Sequence, residues 1–519
     1  MTLPDTPTYQ PHLSPNIPQV INNKDYQEFR SVLEQIDAIL VKEKIEKEFV
    51  DLCLEQKRDE LSKLTKEQES ETPESKDDPS VKRSCRWMNR LQKMARKALR
   101  CNIARKLVGG SFRQFSDRLA DSALLQWFCL IDQLAVIQTP TKSTLDRFDK
   151  IVPDSIIQQV IDRATIKAME PGTSSEDQPL GLEQPISIEK AFIDTSCIKA
   201  NIHFPVDWVL LRDIVIRLIG LIVVIRKHGL IHRMPSPESF LHEINKLCLA
   251  MTHSRRKKNA KKERKRILRL MKDLVKKVKD HGERYRDLFI ANWSETDLSE
   301  KEKDHLLRRL DKILELLPQA VKQAHERIIG GRQVKNKDKI LSLHETEIHI
   351  IVRGKSGAEV EYGNTWVIVE QEDGIIIYSK LIEDQAEADC NLLQPALEKI
   401  YATFGAYPGE LGGDRGFDSE EVRVFFSDKE IYNGVCPRDP AMLKERLKED
   451  TFCQLQKRRS QTEGRIGIFK NRFLDGMLKS KGFLHRQLGV AWAVLAHNLW
   501  ALARLSIAQQ EELRLAATA

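Results

Sequence analysis

Three acidic residues, Asp194, Asp414 and Glu463, stand where carboxylates could hold divalent ions. Cleaving or transferring a phosphodiester needs charge neutralised on the attacking and leaving oxygens, and two metal ions about 4 Å apart do this when a few carboxylates hold them. Mg²⁺ takes oxygen ligands and keeps several waters, so three acidic side chains suffice. Asp194 ends the apolar part of the β-branched run ISIEKAFIDTSCI, Asp414 follows PGELGG within Gly412-Gly413-Asp414-Arg415-Gly416-Phe417, and Glu463 lies in RRSQTEGRIGIFKNR. Each also has a purely structural reading. Asp194 before Thr195-Ser196 suits a strand-end turn or cap, Asp414 among glycines suits a turn, and Glu463 three residues after Ser460 suits the acid of a capping box.

The elements that must position these acids follow from hydrophobic period. Residues 24–68 read as helix, with Phe29, Val32, Leu33, Ile36, Ile39 and Leu40 at three-to-four spacing. An acidic linker, EQESETPESKDDPS, covers 67–80. Residues 81–175 are helical again, and here Trp87, Leu91, Met94, Ala98 and Leu99 form an apolar stripe flanked by Arg86, Arg90, Lys93, Arg96, Lys97 and Arg100. A strand passes through Asp194, helix returns over 207–330, and from 340 the period becomes two in TEIHIIV, TWVIVE and GIIIYSKLI. Helix over 386–404, a short strand at PGELGG, a capping box of Asp418 with Glu421, a strand at 431–436 and helices over 460–478 and 486–513 complete the chain. An α/β unit is thus expected whose first strand is separated from the rest by a helical insert of about 125 residues. The expected divisions are an arm, helix and linker over 1–80; a helical DNA-binding region over 81–175; the first part of a catalytic domain over 176–215; a basic helical insertion over 216–335; and the remainder of the catalytic domain with C-terminal helices over 336–519.

A chain of 519 residues, 41% apolar and 31% charged, is no peptide or disordered chain. Its nine scattered cysteines, never spaced Cys-x-x-Cys, suit reduced thiols of a cytosolic protein. The apolar run Leu218 to Ile225 is far short of the roughly 20 residues that span a bilayer, and the N-terminus lacks a basic start and apolar stretch. We therefore expect a cytoplasmic, nucleoid-associated protein with no membrane span. The net charge of +8 conceals two basic segments: residues 82–106 carry ten Lys or Arg and no acid, and 255–280 carry fourteen against three acids. Such segments suit patches that replace counterions along a polyanion, although solvated helix faces are commonly Lys- and Arg-rich too. His203, His344, His349 and His497 lack metal-ligand spacing and are read as structural.

Four stretches, taken in order, resemble the DDE transposases of bacterial insertion sequences, specifically the ISNCY type. The first is Asp194-Thr195 with Asn201-Ile202-His203, Pro205, Asp207 and Leu210-Leu211; the second is Lys339-Ile340, Ser342-Leu343-His344-Glu345, Arg353-Gly354-Lys355 and Val360-Glu361-Tyr362-Gly363. Gly413-Asp414-Arg415-Gly416-Phe417 is similar to the segment of that family's second catalytic Asp. Arg459-Ser460-Gln461-Thr462-Glu463 with Ile466 and Lys470-Asn471, then Trp492 and Val494 to Leu499, is similar to the segment of its catalytic Glu. Upstream, Phe112 to Ser122 and Thr141 to Leu145 also fit, so the likeness spans about 110–510. Val206 and Gln456 depart from it, standing where relatives carry Thr and Tyr.

The resemblance implies a ribonuclease-H-like mixed sheet with the first Asp on the first strand, the second after the fourth, and the Glu on a late helix. It implies a Mg²⁺-dependent transposase, Mn²⁺ serving as well, in which Asp194, Asp414 and Glu463 hold two ions that serve strand cleavage and strand transfer. Double-stranded DNA, as terminal inverted repeats and as target, is the expected partner of a homodimer. The residues expected to contact it are Arg86, Arg90, Lys93, Arg96 and Lys97, then Lys261, Lys262 and Lys265, and finally Arg459 and Lys470, which flank Glu463 at one and two helical turns. Two rival readings use the same residues: a DNA-binding repressor or architectural protein without catalysis, and a metal-dependent nuclease without strand transfer.

Overall fold

A computed structural model of the chain describes residues 17, 20–66, 79–131, 136–172, 179–355 and 358–518. The acidic linker and most of the N-terminal arm lie outside the described residues. The N-terminal part is all helical: α1 (Lys24–Lys42), α2 (Ile45–Lys66), α3 (Pro79–Val108), α4 (Phe112–Asp121), α5 (Ala123–Phe128), α6 (Lys142–Asp149) and α7 (Asp154–Met169). The expected stripe of α1 is buried at Val32, Leu33, Ile36, Ile39 and Leu40. The single helix expected over 24–68 is two, because the chain turns at Lys44 with a φ of 62°. Of the expected stripe on α3, Leu91, Ala98 and Leu99 are buried, while Trp87 and Met94 are about 40% exposed (40% and 39%).

After β1 (Lys190–Lys199) the chain makes a four-helix insert: α8 (Asp207–Lys227), α9 (Pro237–His253), α10 (Ala260–Asn292) and α11 (Glu300–Ala324). Its core is separate and apolar, built from Leu211, Ile214, Leu218 and Ile222 of α8 against Leu268, Met271, Val275 and Val278 of α10. The sheet then resumes with β2 (His349–Lys355), β3 (Ala358–Gln371) and β4 (Ile376–Leu381), followed by α12 (Asp389–Phe404), β5 (Glu410–Gly413), α13 (Glu420–Asp428), β6 (Tyr432–Val435), α14 (Pro440–Arg446), α15 (Asp450–Ile468) and α16 (Phe483–Thr518).

The fold is mixed α/β, a helical protein around one six-stranded mixed sheet. Its order is β2-β3-β1-β5-β6, with β4 beside β3. β1 runs antiparallel to β3 and parallel to β5, and β5 runs parallel to β6. Asp414 follows the fifth strand in chain order, as the strand-like runs of the sequence already count, rather than the fourth that the resemblance implies. The capping residue of α13 is Ser419, whose side chain accepts from Val422 N. Asp418 instead holds Arg423 and accepts from Arg438 N, so the expected box is one residue early.

One sheet face packs on α12 and α13 through Ile193, Val367, Val369 and Leu397. The other joins Trp366 and Ile368 to α16 and to the helices of 24–170 in one continuous core. The helices of 81–175 therefore do not pack by themselves: α16 fills their centre, with the Trp492 ring tilted against Phe49 and donating from Nε1 to Asp149 O. By length and composition α16 would suffice to cross a bilayer, but 67% of an apolar 18-residue stretch of it is buried inside the protein. That apolar surface is largely taken up by the core. All eight cysteines with described side chains are free thiols, five of them buried.

Candidate active site

Strand register sets the first two carboxylates. β1 and β5 pair in parallel as Lys190 with Glu410, Ala191 with Leu411 and Phe192 with Gly412. Continuing that register puts Ile193 beside Gly413, where a Cβ on Gly413 would lie 3.2 Å from Ile193 Cγ2, and Asp194 beside Asp414. Asp414 keeps extended backbone (φ −85°, ψ 179°), so the alternation of the strands carries through it. Neighbouring strands lie about 4.8 Å apart, which brings the two acids together from 220 residues apart in sequence. Asp194 Oδ1 accepts from Thr195 N at 2.7 Å and Asp414 Oδ1 from Gly416 N at 2.8 Å. Both residues are half-buried. Each carboxylate is held by the backbone that follows it, the continuing strand at Asp194 and a short turn at Asp414, combining the structural role with any chemical one.

Glu463 is carried by α15, which crosses the same strands. Gln456 Nε2 donates to Gly413 O at 3.1 Å and Gly434 O at 2.6 Å, tying the helix to the ends of β5 and β6 directly before Asp414. The helix lies close: a Cβ on Gly434 would meet Leu455 Cδ1 at 2.7 Å, and one on Gly412 would lie 3.8 Å from Leu455 O. One turn on, Arg458 stacks over Phe192 (4.7 Å) and donates to Glu370 Oε1 (3.1 Å), which also accepts from Thr462 Oγ1 (2.6 Å). Further on, Phe469 stacks on Trp366 at 4.7 Å.

Glu463 is exposed on this helix, on the stripe of Gln456 and Arg459 two turns beyond Gln456. It sits mid-helix, not in a capping box, because α15 begins ten residues before the helix expected from 460. Ser460 Oγ donates back to Lys457 O. Arg459 Nε donates to Gln456 Oε1 (3.1 Å), so that cation stiffens the clamp on the strand ends. Lys470 lies beyond the end of α15, in a π-type turn over Phe469–Phe473. Gln456, the position that departs from the resembled family, thus has a definite local task.

A further carboxylate meets the pair. Asp389, at the first turn of α12, accepts from Thr195 Oγ1 at 3.1 Å, and its Oδ2 lies 2.6 Å from the position a Cβ would occupy on Gly416. Asp414 Oδ1 lies 3.0 Å from that same position. Sequence reasoning missed Asp389, whose only local signal is an acid at a helix start. Among the described residues no group of three or more His, Cys, Asp or Glu is assembled that could hold a metal ion. Two adjacent carboxylates do match what Mg²⁺ takes from a protein when phosphate oxygens and water supply its remaining ligands.

The expected DNA contacts divide. Arg86 has its side chain outside the described residues; Arg90 and Lys93 are exposed and Lys97 is half-buried. Arg96 faces inward, its Nη2 3.0 Å from buried Glu46. On α10, Lys261 and Lys262 are exposed and Lys265 half-buried. Several motif residues turn out to be fasteners. Buried Asp207 joins the two ends of the insert by accepting from Gln323 (2.9 Å) and Arg327 (2.8 Å). Glu345 accepts from Gly482 N and pairs with Arg486 at the start of α16. His497 is buried among Phe469 and Phe473, and that burial lowers its pKa, as suits a structural histidine. No family model, curated protein or solved structure matches the chain.

Proposed function

We propose that the chain is a DNA transposase of the DDE type, with a ribonuclease-H-like catalytic core, that cleaves the ends of an insertion sequence and joins them to target DNA. The observation that carries the reading is the parallel register of β1 against β5, whose continuation sets Asp194 beside Asp414 directly after β5, with the helix of Glu463 clamped by Gln456 onto the ends of β5 and β6. The strand order β4-β3-β1-β5-β6, antiparallel on one side of β1 and parallel on the other, supports the core assignment. So do the motif blocks, which occur in the order that family uses.

In this reading Asp194, Asp414 and Glu463 hold Mg²⁺ or Mn²⁺, which when bound supplies charge neutralisation at the phosphodiester. The protein's own part is positional. Thr195 N and Gly416 N hold the two aspartates in place, while the Glu370 cluster with Arg458 and Thr462 keeps α15 on the sheet. Exposed Lys261 and Lys262 of α10, with Arg90 and Lys93 of α3, supply backbone contacts that carry affinity without sequence code. The protein acts as a dimer holding both ends.

The test is incubation with labelled duplex carrying the element's terminal repeats, plus Mg²⁺ or Mn²⁺. Nicked ends and joined products are expected, and Asp194→Asn or Asp414→Asn lowers both by at least about 10²-fold while end binding persists. Binding without cleavage would instead mark a repressor, and cleavage without joining a nuclease.

A further inference from the structure

Far from the carboxylates, a cavity of about 800 Å³ opens where α3, α4 and α6 meet the segment between α15 and α16. Seven cations line it: Arg105 and Lys106 at the end of α3, Arg113 on α4, Lys142 and Lys150 on α6, and Lys479 and Lys481 on the connecting segment. Three carboxylates share the lining, and each is engaged. Asp149 pairs with Arg105 at 2.8 Å and Asp146 with Lys150 at 2.9 Å. Asp475 Oδ2 accepts from Gly110 N at 3.2 Å, fastening the connecting segment to the turn after α3. Arg113, Lys142, Lys479 and Lys481 remain as an exposed positive excess around the opening. The excess is not a by-product of the basic segment 82–106, since five of the seven cations come from α4, α6 and the connecting segment.

The connecting segment is itself held to the sheet. Leu478 pairs with Ala200, directly after β1, and left-handed backbone at Asp475, Gly476 and Gly482 shapes its two ends. Lys481 lines a second cavity of about 590 Å³ as well, where Arg217 continues the positive lining while Arg212 is paired with Asp213 and Glu345 with Arg486. Two cation-lined cavities joined through one lysine make a track, too long for a single small anion. Its junction at Ala200 lies six residues beyond Asp194 along β1, about 20 Å, which equals about six steps of a duplex at roughly 3.4 Å each.

We infer that this track binds the phosphate groups of a DNA backbone about six base pairs from the carboxylates. The inference rests on the proposed transposase reading only for the source of the phosphates. In the fully assembled protein, Arg113, Lys142, Lys479 and Lys481 each neutralise a phosphate, and the connecting segment carries the strand from the first cavity to the second.

The experiment uses full-length protein and a fluorescent 30-base-pair duplex in EDTA, so that binding is read without cleavage. The quadruple variant Arg113→Glu, Lys142→Glu, Lys479→Glu, Lys481→Glu binds at least about 10-fold more weakly, with a salt slope shallower by about 3 to 4. A control reversing the equally exposed Lys301 and Lys337 keeps the wild-type affinity, and matching circular dichroism and thermal unfolding exclude misfolding. Unchanged DNA affinity in the quadruple variant overturns the inference. So does ATP or pyrophosphate binding by calorimetry that this variant abolishes while DNA binding stays intact, because the cavity would then serve a free phosphate compound. Failure of the wild-type protein to cleave DNA removes the catalytic reading but leaves this binding result standing.

Discussion

Helices α3 and α10 are the two most basic stretches of the chain, yet the fold uses their charge in opposite ways. On α10 the apolar residues Ile267, Met271, Leu274, Val275 and Val278 form a continuous inward face, and Lys261, Lys262, Lys276 and Lys277 stand in solvent. On α3 part of the charge is turned inward. Arg100 is 1% exposed and donates to Glu46, Asp37 and the Phe128 carbonyl, while Lys106 is 3% exposed and donates to the Gly489 carbonyl of α16. The difference lies in the neighbours. α10 turns an apolar face to the core of its four-helix unit and leaves its cations outside, whereas α3 is surrounded by α2, α6 and α16 on several sides, so some cations must be buried and are met by partners. Charge density therefore marks a solvent-facing surface on α10 and an internal network on much of α3.

The sharpest way to break this contrast is to remove one buried cation. Arg100→Met removes the buried cation that Glu46 shares with Asp37 and is expected to cost about 3–5 kcal/mol, read from denaturant unfolding. A loss below about 1 kcal/mol would place α3 in the same class as α10. Lys106 gives the next largest effect. Burial, the dominant cause, pushes its ammonium down to about 7, with Arg105 acting in the same direction and Asp149 and Asp475 opposing. A lowered folded-state pKa means that the unfolded chain holds the extra proton between about pH 7 and the ordinary lysine value. Stability therefore rises with pH across that window, by at most about 1.4 kcal/mol per pH unit. Lys106→Met removes the rise, and unfolding curves from pH 7 to 10 check it.

On α10, Lys261→Ala, Lys262→Ala and Lys265→Ala together leave stability within about 0.5 kcal/mol per site. They make the salt dependence of DNA binding shallower by about 3, measured by titration at several salt concentrations. The smallest effect belongs to the outer face of α3: Arg90→Ala with Lys93→Ala is neutral for folding and lowers the salt slope by about 2. An unchanged slope there, beside a reduced one for α10, would confine polyanion contact to the insert side.

Much of this architecture was legible beforehand, because period is a local property. The stripe of α1, the strand through Asp194, the helical insert and the short strand before Asp414 all follow from spacings of two or three to four. The same local signals failed where two neighbouring residues offered equivalent chemistry. Ser419 caps α13 in place of Asp418, whose carboxylate Arg423 and Arg438 N take up. They failed again at α15, whose polar first turns are held by Gln456 and Arg458 through contacts with strands more than twenty residues away. Asp389 was invisible for the same reason: only the approach of α12 to Thr195 and Gly416 gives it a role.

Composition and order along the chain were enough to nominate two aspartates and a glutamate and to separate the insert from the sheet. Packing settled which arginines are buried and where α16 belongs, for those depend on partners 50 to more than 300 residues away, such as Arg100 with Glu46 and Lys106 with Gly489. A side chain's type fixes what bonds it can make; the closing of the chain on itself fixes which of them are made, because a buried polar group must find its partner among whatever the fold brings near.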